Sequence, residues 1–182
     1  MNIIETGIDG LLIIKPNVYG DSRGYFMESF KLNEFQDKVC NTVFVQDNES
    51  KSKFGVLRGL HFQKPPYVQA KLVRVLQGKV LDVAVDLRKN SDTFGKHFAV
   101  ELSEENKLQF FIPRGFAHGF IVLSENAVFS YKVDNAYAPE SEGGIRFDCP
   151  QLAIDWKIET DKLILSEKDR LLPELKNAYT FE

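Results

Sequence analysis

Short runs of apolar or alternating residues, each bounded by Gly, Asn, Asp or Pro, recur along most of this chain. Their lengths and spacing are typical of β-strands, whereas helical periodicity is confined to residues 31–39 and 166–172. Many short strands without intervening long helices predict an all-β sandwich, barrel or jelly roll with short peripheral helices. The runs lie at residues 11–14, 24–30, 42–48, 70–76, 79–87, 96–102, 108–113, 119–123 and 127–133.

Two connecting segments between these runs carry further information. Gln77 and Gly78 separate two strand-like runs and predict a tight hairpin turn. Residues 135–144, NAYAPESEGG, form the longest loop-like stretch. Because a loop held by a rigid scaffold is a natural place for ligand contacts, we expect this segment to contact a ligand.

The composition bounds the class of protein. A chain of 182 residues with 43% hydrophobic and 27% charged residues fits one globular domain over residues 1–182. A net charge of −3 argues against a general nucleic-acid or anionic-membrane binder. The first residues carry Glu5 and Asp9 and lack the basic start of a signal peptide, and no segment approaches the roughly 20 apolar residues of a membrane helix. The cytoplasm is therefore the expected location.

Several common sites lose their usual support. Cys40 and Cys149 are far apart and lack the spacing of a metal site or redox motif, so we expect two buried small hydrophobes and no disulfide. Neither GxxxxGK[ST] nor GxGxxG occurs, which disfavours nucleoside triphosphate hydrolysis and nicotinamide binding. His97 lies isolated in a strand-like run and is interpreted as structural.

A few polar side chains fall within the strand-like runs. Lys71 shares a strand face with two valines, so its ammonium is either aimed into the interior or reaches solvent from the strand end. Gln46 and Asn48 point the same way, toward a ligand or toward water. Tyr131 would lie among buried groups, where most tyrosines simply find a hydrogen-bond partner. His61, between Leu60 and Phe62, is on composition alone more often structural than catalytic.

A metal site can be tested against the histidine pattern. PRGFAH at 113–118 is similar to the PxGxxH of the second cupin motif, but the first motif, which usually supplies HxH, reads His61-Phe62-Gln63. Since first-row metals need several nitrogen, oxygen or sulfur ligands, the missing imidazole predicts a site without metal. The dispersed cations Arg23, Arg58, Lys71 and Arg114 could instead hold a diphosphate through charge-assisted contacts.

Several separate motifs occur in one order: RGLHFQ, AKLVRVLQGKVLDVAVDLR, PRGFAHGF, YKVDNAYAPESEGGIRFDCP and ILSEKD. Together they resemble the dTDP-4-dehydrorhamnose 3,5-epimerase family, from about residue 3 to about residue 175. The resemblance implies a cupin-type jelly roll (a double-stranded β-helix), usually a homodimer. It also implies action without metal or cofactor on dTDP-4-dehydro-6-deoxy-D-glucose, in the route to dTDP-L-rhamnose.

The resemblance also implies residue roles. His61 becomes the general base, Asp169 the carboxylate that orients it, Lys71 the cation beside the C4 oxygen, and Tyr131 the acid on the opposite face of the sugar. Tyr137 matches a tyrosine that stacks on thymine, Phe26 matches an aromatic that lines the site, and Asp47 would act through its backbone. The full set of implied substrate contacts is Arg23, Phe26, Glu28, Gln46, Asp47, Asn48, Arg58, Lys71, His118, Tyr137, Glu142 and Lys168.

The expected chemistry needs these residue types. Protons at C3 and C5 are acidic because both carbons flank the C4 ketone, and removal of either gives an enolate whose O4 charge needs a nearby cation. Inversion needs proton removal on one face and return on the other. A histidine, which ordinarily titrates near pH 6.5, suits the base, and a carboxylate fixes its tautomer.

Two features leave alternatives open. Strict alternation would put Arg58 and His61 on opposite faces, so we expect Gly59 to introduce a bulge or bend. The chain departs from the common family pattern at Asp134, Gly143 and Phe147, where Thr, Arg and Trp are usual. The alternatives are an epimerase that inverts one carbon or acts on a related nucleotide-4-keto sugar, a metal-dependent cupin enzyme, and a non-catalytic sugar-binding cupin.

Overall fold

The computed structural model describes residues 1–182, and strands dominate it. The only α-helices are α1 (Leu32–Lys38) and α2 (Glu167–Arg170), with single 3-10 turns at Pro139–Ser141, Thr160–Lys162 and Leu175–Asn177. The strands are β1 (Asn2–Glu5), β2 (Leu12–Lys15), β3 (Val18–Asp21), β4 (Gly24–Met27), β5 (Gln46–Lys53), β6 (Leu57–Gln63), β7 (Lys71–Gln77), β8 (Lys79–Asp86), β9 (His97–Ser103), β10 (Gln109–Ile112), β11 (Phe116–Val122), β12 (Asn126–Val133) and β13 (Glu142–Gly144).

Two antiparallel sheets face each other. One has six strands in the order β1-β2-β10-β7-β12-β5, the other has five in the order β13-β6-β11-β8-β9, and the β3–β4 hairpin stands apart from both. Buried side chains from the two sheets, among them Val73, Val75, Phe120 and Phe129, interdigitate between them. This architecture confirms the predicted all-β jelly roll with short peripheral helices.

Two further hydrophobic cores cover the outer faces of the sheets. On the five-stranded sheet, side chains such as Leu60 and Val83 pack against the C-terminal segment through Trp156. On the six-stranded sheet, Phe35 of α1 packs against Leu72 and its neighbours. β8 is therefore covered on both faces, which explains why its sequence is a nearly continuous apolar run.

The inner faces of the sheets change character along the strands. β7 carries Val75 and Val73 and then Lys71, and β11 carries Phe120 and then His118, so a hydrophobic core at one end becomes a polar cleft at the other. The structure thus confirms that Lys71 shares the interior face of the two valines, and the strand order alone brings chemistry-bearing side chains together.

The bounds of one predicted strand and the type of one predicted turn were wrong. The predicted strand over 42–48 begins only at Gln46 and continues to Lys53, because the inward side chains of β5 face the cleft and are polar, which hides the apolar alternation. Gln77 and Gly78 do not form a hairpin, since β7 and β8 belong to different sheets. The sharp turn itself is real: Gly78 has φ +77°, and a Cβ there would lie 2.1 Å from the carbonyl oxygen of Asn126.

Several smaller predictions were tested as well. Both short helices lie within the predicted segments. Cys149 is buried and Cys40 is half-buried, and both are free thiols. His97 lies on β9, away from the cleft. None of the helices has the length and apolar character needed to cross a lipid bilayer.

Candidate active site

A cleft opens between the two sheets at their polar end. Its larger part has a volume of about 440 Å³ and its smaller part about 270 Å³. His61, Lys71 and Tyr131 line both parts and so mark the junction. All four residues predicted as catalytic, Asp169 included, line this cleft.

His61 and Asp169 form a close pair although they are far apart in sequence. The Nε2 atom of His61 lies 2.6 Å from Oδ1 of Asp169, which α2 holds in a buried position. Ser166 caps this helix by accepting a hydrogen bond from the Asp169 N–H. Burial raises the pKa of Asp169, but the hydrogen bond and charge of His61 outweigh burial and bring that pKa below its usual value. Asp169 is therefore an ionised acceptor that can fix the imidazole with its proton on Nε2.

A bulge at Gly59 brings Arg58 and His61 to the same cleft, as predicted. His61 is opposite His118 and Arg58 is opposite Phe120, so three steps along β6 match two steps along β11. Gly59 has φ +137°, and a Cβ there would lie 2.5 Å from Cα of Gly119. Only glycine fits this close approach of two backbones. The Arg58 guanidinium is held by Ser52, at 3.2 and 3.1 Å from its hydroxyl oxygen.

Lys71 lies near a buried acidic residue that the sequence analysis missed. Desolvation lowers the pKa of Lys71 to about 8, while the negative charges of Asp82 and Glu142 act in the opposite direction. Asp82 is fully buried and lies 2.9 and 3.1 Å from Nε2 of His118 through its two carboxylate oxygens. Burial lowers the pKa of His118 despite this partner. The one signal in the sequence was a charged residue within the apolar run of β8.

Tyr131 stands on β12, between β5 and β7. Its backbone is paired with Asn48 on one side and Val73 on the other, which directs its half-buried side chain into the cleft. Burial raises the pKa of Tyr131, and the nearby positive charge of Arg58 opposes this effect only in part. The phenol therefore keeps its proton at neutral pH and can act as a donor.

The smaller part of the cleft carries amides and a charged pair. The Gln46 amide donates to Asn48 at 2.8 Å, which confirms that the two side chains share a face. Lys168 and Glu142 form an ion pair at its rim. Tyr137, also at the rim, is 56% exposed. The Asp47 side chain points away from the cleft to Lys132, at 2.8 Å, so only its backbone could contact a ligand there.

Three predicted substrate contacts lie outside the cleft of their own chain. Arg23 and Phe26 belong to the β3–β4 hairpin, where the Arg23 side chain is 88% exposed and Phe26 is 65% exposed. The Arg23 guanidinium lies 2.5 Å from Asp21, and Glu28 lies 3.5 Å from Lys31. The fourth dispersed cation, Arg114, is also outside the cleft and is paired with Asp134. The diphosphate-binding set predicted from all four cations therefore does not assemble within one chain.

No group of three or more His, Cys, Asp or Glu side chains is arranged to hold a metal ion. Gln63 takes the position that the cupin pattern gives to a second histidine. Its amide is bonded to backbone groups of Tyr67, Ala136 and Ala138.

The family model for dTDP-4-dehydrorhamnose 3,5-epimerase matches residues 5–177. The chain belongs to this family. A dTDP-4-dehydrorhamnose 3,5-epimerase of Methanothermobacter thermautotrophicus is 56% identical over 168 residues, which cover 92% of this chain and 90% of the relative. The fold, the family and the class of enzyme, an isomerase, thus agree with the sequence-based expectation.

Solved structures of family members match the whole fold. The dTDP-4-dehydrorhamnose 3,5-epimerase of Elizabethkingia anophelis has a TM-score of 0.94 and 55% identity, covering 98% of this chain and 99% of that one. The Legionella pneumophila dTDP-6-deoxy-D-glucose-3,5-epimerase, solved in complex with dTDP-4-keto-L-rhamnose, has a TM-score of 0.93 and 52% identity, covering 97% and 93% of the two chains.

Asp134, Gly143 and Phe147, where the resemblance leads us to expect Thr, Arg and Trp, each have local structural partners. Asp134 accepts hydrogen bonds from the Ala70 N–H at 2.6 Å and from Arg114 at 3.0 Å. At Gly143, a Cβ would lie 2.5 Å from the ring of Phe62, so the absent side chain leaves room for that ring. Phe147 is buried in the outer core of the five-stranded sheet.

Proposed function

We propose that this protein inverts C3 and C5 of dTDP-4-dehydro-6-deoxy-D-glucose to give dTDP-4-dehydro-L-rhamnose, with His61 as the base. The observation that carries the proposal is the 2.6 Å contact of His61 with Asp169 in a cleft that Lys71 and Tyr131 also line. Membership in the epimerase family supports the same reaction.

The first step is proton removal beside the ketone. Because Nε2 of His61 is bonded to Asp169, its Nδ1 lone pair is free to take the proton from C3 or C5. The electron pair of the broken C–H bond forms a double bond to C4, and the π electrons of the C4 carbonyl move onto O4, where the negative charge develops. Asp169 stabilises the imidazolium that forms.

Lys71 stabilises the enolate in this proposal. With a pKa of about 8, its ammonium is mostly charged at neutral pH, and partial burial strengthens its effect on O4. Asp82 supports the charged form of Lys71 and holds the ring of His118, which we assign to substrate binding. Asp82 is thus a positioning residue for His118 and a charge that favours the ammonium of Lys71.

Tyr131 donates its own phenolic proton to the face of the sugar opposite to His61, the C4 carbonyl forms again, and the cleft is left with an imidazolium and a phenolate. Its raised pKa keeps the phenol protonated until the carbanion forms. The same pair of groups can serve both carbons, because C3 and C5 lie on either side of the carbonyl carbon. Between the two inversions, the imidazolium of His61 gives its proton to water and the phenolate of Tyr131 takes one from water. Neither step calls on a metal or cofactor.

The nucleotide occupies the rest of the cleft in this proposal. Tyr137 stacks on the thymine ring, and Glu142 and Lys168 contact the substrate at the rim. The diphosphate is held by Arg58 and by the amide pair on β5, with the Asp47 backbone between the two amides. The proposed partner is a nucleotide sugar and not a nucleic acid.

We also propose a homodimer in which each copy completes the cleft of the other. The β3–β4 hairpin leaves Tyr19, Tyr25 and Phe26 exposed on one small element, which is unusual for a surface that stays in water. Arg23, Phe26 and Glu28, all expected to contact substrate, lie on or just after this hairpin and away from their own cleft. Docking of the hairpin onto a second copy accounts for both facts. The cytoplasmic location stays a prediction.

NMR of dTDP-4-dehydro-6-deoxy-D-glucose with the protein in D2O tests the reaction. We expect deuterium at both C3 and C5, and loss of both exchanges in His61→Ala. The matched control is His97→Ala, which removes a histidine outside the cleft and should leave exchange unchanged. Exchange at one carbon only would make the protein a mono-epimerase, and binding without exchange would make it a sugar-binding module.

A further inference from the structure

Gln63, the last residue of β6, is buried, and both the nitrogen and the oxygen of its side-chain amide form hydrogen bonds. Its Nε2 donates to the carbonyl oxygens of Tyr67 at 2.6 Å and Ala136 at 3.0 Å, and its Oε1 accepts from the N–H of Ala138 at 2.8 Å. The residue is only 5% exposed. A buried amide with three satisfied bonds to backbone groups is a structural anchor, because loss of one partner leaves buried groups unpaired.

The backbone groups that Gln63 holds lie on both sides of one residue. Ala136 and Ala138 flank Tyr137, so a single side chain fixes the peptides before and after it. The Tyr137 side chain itself is 56% exposed and stands at the rim of the smaller part of the cleft. An exposed aromatic ring on a loop would otherwise move freely. Here the backbone on both sides of Tyr137 is hydrogen-bonded to Gln63, on the strand that also carries His61.

Only an amide fits these partners well. The site needs a donor for the Ala136 carbonyl and an acceptor for the Ala138 N–H from one side chain. Glutamine supplies both at once, whereas an ionised glutamate has no donor. Neighbouring bonds hold other parts of the same loop: Gln69 donates to the carbonyl of Asn135 at 2.8 Å, and the Lys64 N–H donates to the carbonyl of Ser141 at 2.8 Å.

We propose that Gln63 is a positioning residue for nucleotide recognition, which acts by holding Tyr137 ready to stack on the base before the substrate arrives. This inference rests on the proposed function, in which Tyr137 stacks on thymine. A preformed stacking surface lowers the ordering cost of binding, so Gln63 contributes to affinity and not to proton transfer. The position that could have served a metal in a cupin instead organises the nucleotide loop.

The test measures dTDP affinity by isothermal titration calorimetry in a double-mutant cycle. Gln63→Met should weaken dTDP binding about tenfold, since two backbone groups beside Tyr137 lose their partner, while kcat at saturating substrate changes by less than about threefold. Tyr137→Ala should weaken binding to a similar degree. In the Tyr137→Ala background, Gln63→Met should then add little further loss, because both changes remove the same ordered ring.

The control variant is Trp156→Phe, which removes another buried hydrogen bond from a side chain to a carbonyl, in the outer core and away from the loop. It should lower stability and leave dTDP affinity unchanged. If Gln63→Met does not fold, Gln63→Glu replaces it. That variant keeps the acceptor for Ala138 and loses the donors, and it should weaken binding at neutral pH and recover as the carboxyl group is protonated.

The outcomes separate the two proposals. Additive effects of Gln63→Met and Tyr137→Ala, or unchanged affinity in Gln63→Met when Tyr137→Ala is impaired, would overturn the positioning role and leave the stacking role intact. Unchanged affinity in Tyr137→Ala would overturn the stacking role and this inference together. Neither result bears on proton transfer by His61, which the exchange experiment measures separately.

Discussion

The centre of the cleft and the β3–β4 hairpin are built in opposite ways. At the centre, His61, Lys71 and His118 come from three strands. The two histidines each contact a buried carboxylate, and the charge of one of these, Asp82, also favours the ammonium of Lys71. On the hairpin, Arg23 and Phe26 are exposed and touch little of their own chain.

The two regions differ in the role that the proposed function gives them. In the proposed function, the groups that act on the reacting carbons need fixed geometry, and a single chain supplies it through its sheets. In the proposed homodimer, groups that only bind the substrate come from a surface element of the other copy.

The largest effect is expected at Asp169. Asp169→Asn keeps the size of the side chain but removes the charge that fixes the proton on Nε2 of His61 and stabilises the imidazolium. We expect kcat to fall on the order of 10³-fold to 10⁴-fold, with little change in dTDP affinity. Initial rates of deuterium incorporation at saturating substrate measure the loss. Asp148→Asn, which affects a carboxylate paired with Arg146 on the surface, is the control. A similar loss in both variants would contradict the assigned role.

Lys71→Met should come next. The substitution keeps the length and the packing of the side chain on β7 but removes the positive charge beside O4. Loss of one group that stabilises the enolate should lower kcat on the order of 10² to 10³-fold. Exchange at C3 and at C5 should fall together, because both steps share one enolate oxygen. A fall at only one carbon would show that a different group faces O4 in one of the two steps.

The catalytic centre was predicted mainly through the family resemblance and not from the residues alone. On its own, His61 was more often structural than catalytic, Lys71 was either interior or solvent-reaching, and Asp169 gained its role only from the resemblance. Gly59 was correctly expected to bring Arg58 and His61 together. Contacts that depend on the order of the strands in the sheets could not be predicted from the sequence. Asp82 looked like one charge within the run of β8, and Gln77-Gly78 looked like a hairpin because periodicity does not say which strand pairs with which.

β5 shows a second limit of sequence patterns. Its inward residues Gln46, Asn48 and Ser50 line the cleft, so the strand reads as a polar segment although it pairs along its whole length with β12. The hairpin shows a third limit. Nothing in the residues around Arg23 and Phe26 says whether they serve their own cleft or that of another copy.

The pH dependence of the rate should report the protonation state of Lys71. Its pKa of about 8 lies below the ordinary lysine value, so the required ammonium is present below pH 8 and is lost as the pH rises through 8. Deprotonation of Tyr131 cannot cause this fall in rate near pH 8, because the pKa of Tyr131 is raised above the ordinary tyrosine value. Asp82→Asn removes a negative charge that favours the ammonium of Lys71. The pH at which the rate falls should therefore decrease by about one unit or less. A shift to higher pH would contradict the role of Asp82.

A complementation experiment tests whether the hairpin serves a second copy. The double variant Arg23→Ala/Phe26→Ala should raise KM about tenfold and change kcat little, since it removes contacts that do not touch the reacting carbons. When this variant is refolded together with Asp169→Asn, each mixed dimer has one cleft with an intact centre and an intact hairpin from its partner. Below the KM of the double variant, the mixture should be more active than either protein alone. No gain would mean that the hairpin does not cross between copies.

The smallest effect is expected at Asp134, which belongs to neither region. Its carboxylate accepts from the Ala70 N–H at 2.6 Å and from Arg114 at 3.0 Å, and the Arg114 side chain is 53% exposed. Asp134→Thr introduces the residue that the family resemblance leads us to expect at this position. The threonine hydroxyl can still accept from Ala70, and the lost ion pair with a solvated arginine should cost less than about 1 kcal/mol of unfolding free energy. Asp134→Ala also leaves the Ala70 N–H without its acceptor and should cost about 1 to 3 kcal/mol of unfolding free energy, measured by urea unfolding.

We expect KM and kcat of the threonine variant to stay within about twofold of the parent values, since only interactions with the substrate or the transition state change them. A large change in KM would mean that Asp134 contributes to the nucleotide end of the cleft, and that the departure from the family pattern alters recognition and not only the scaffold.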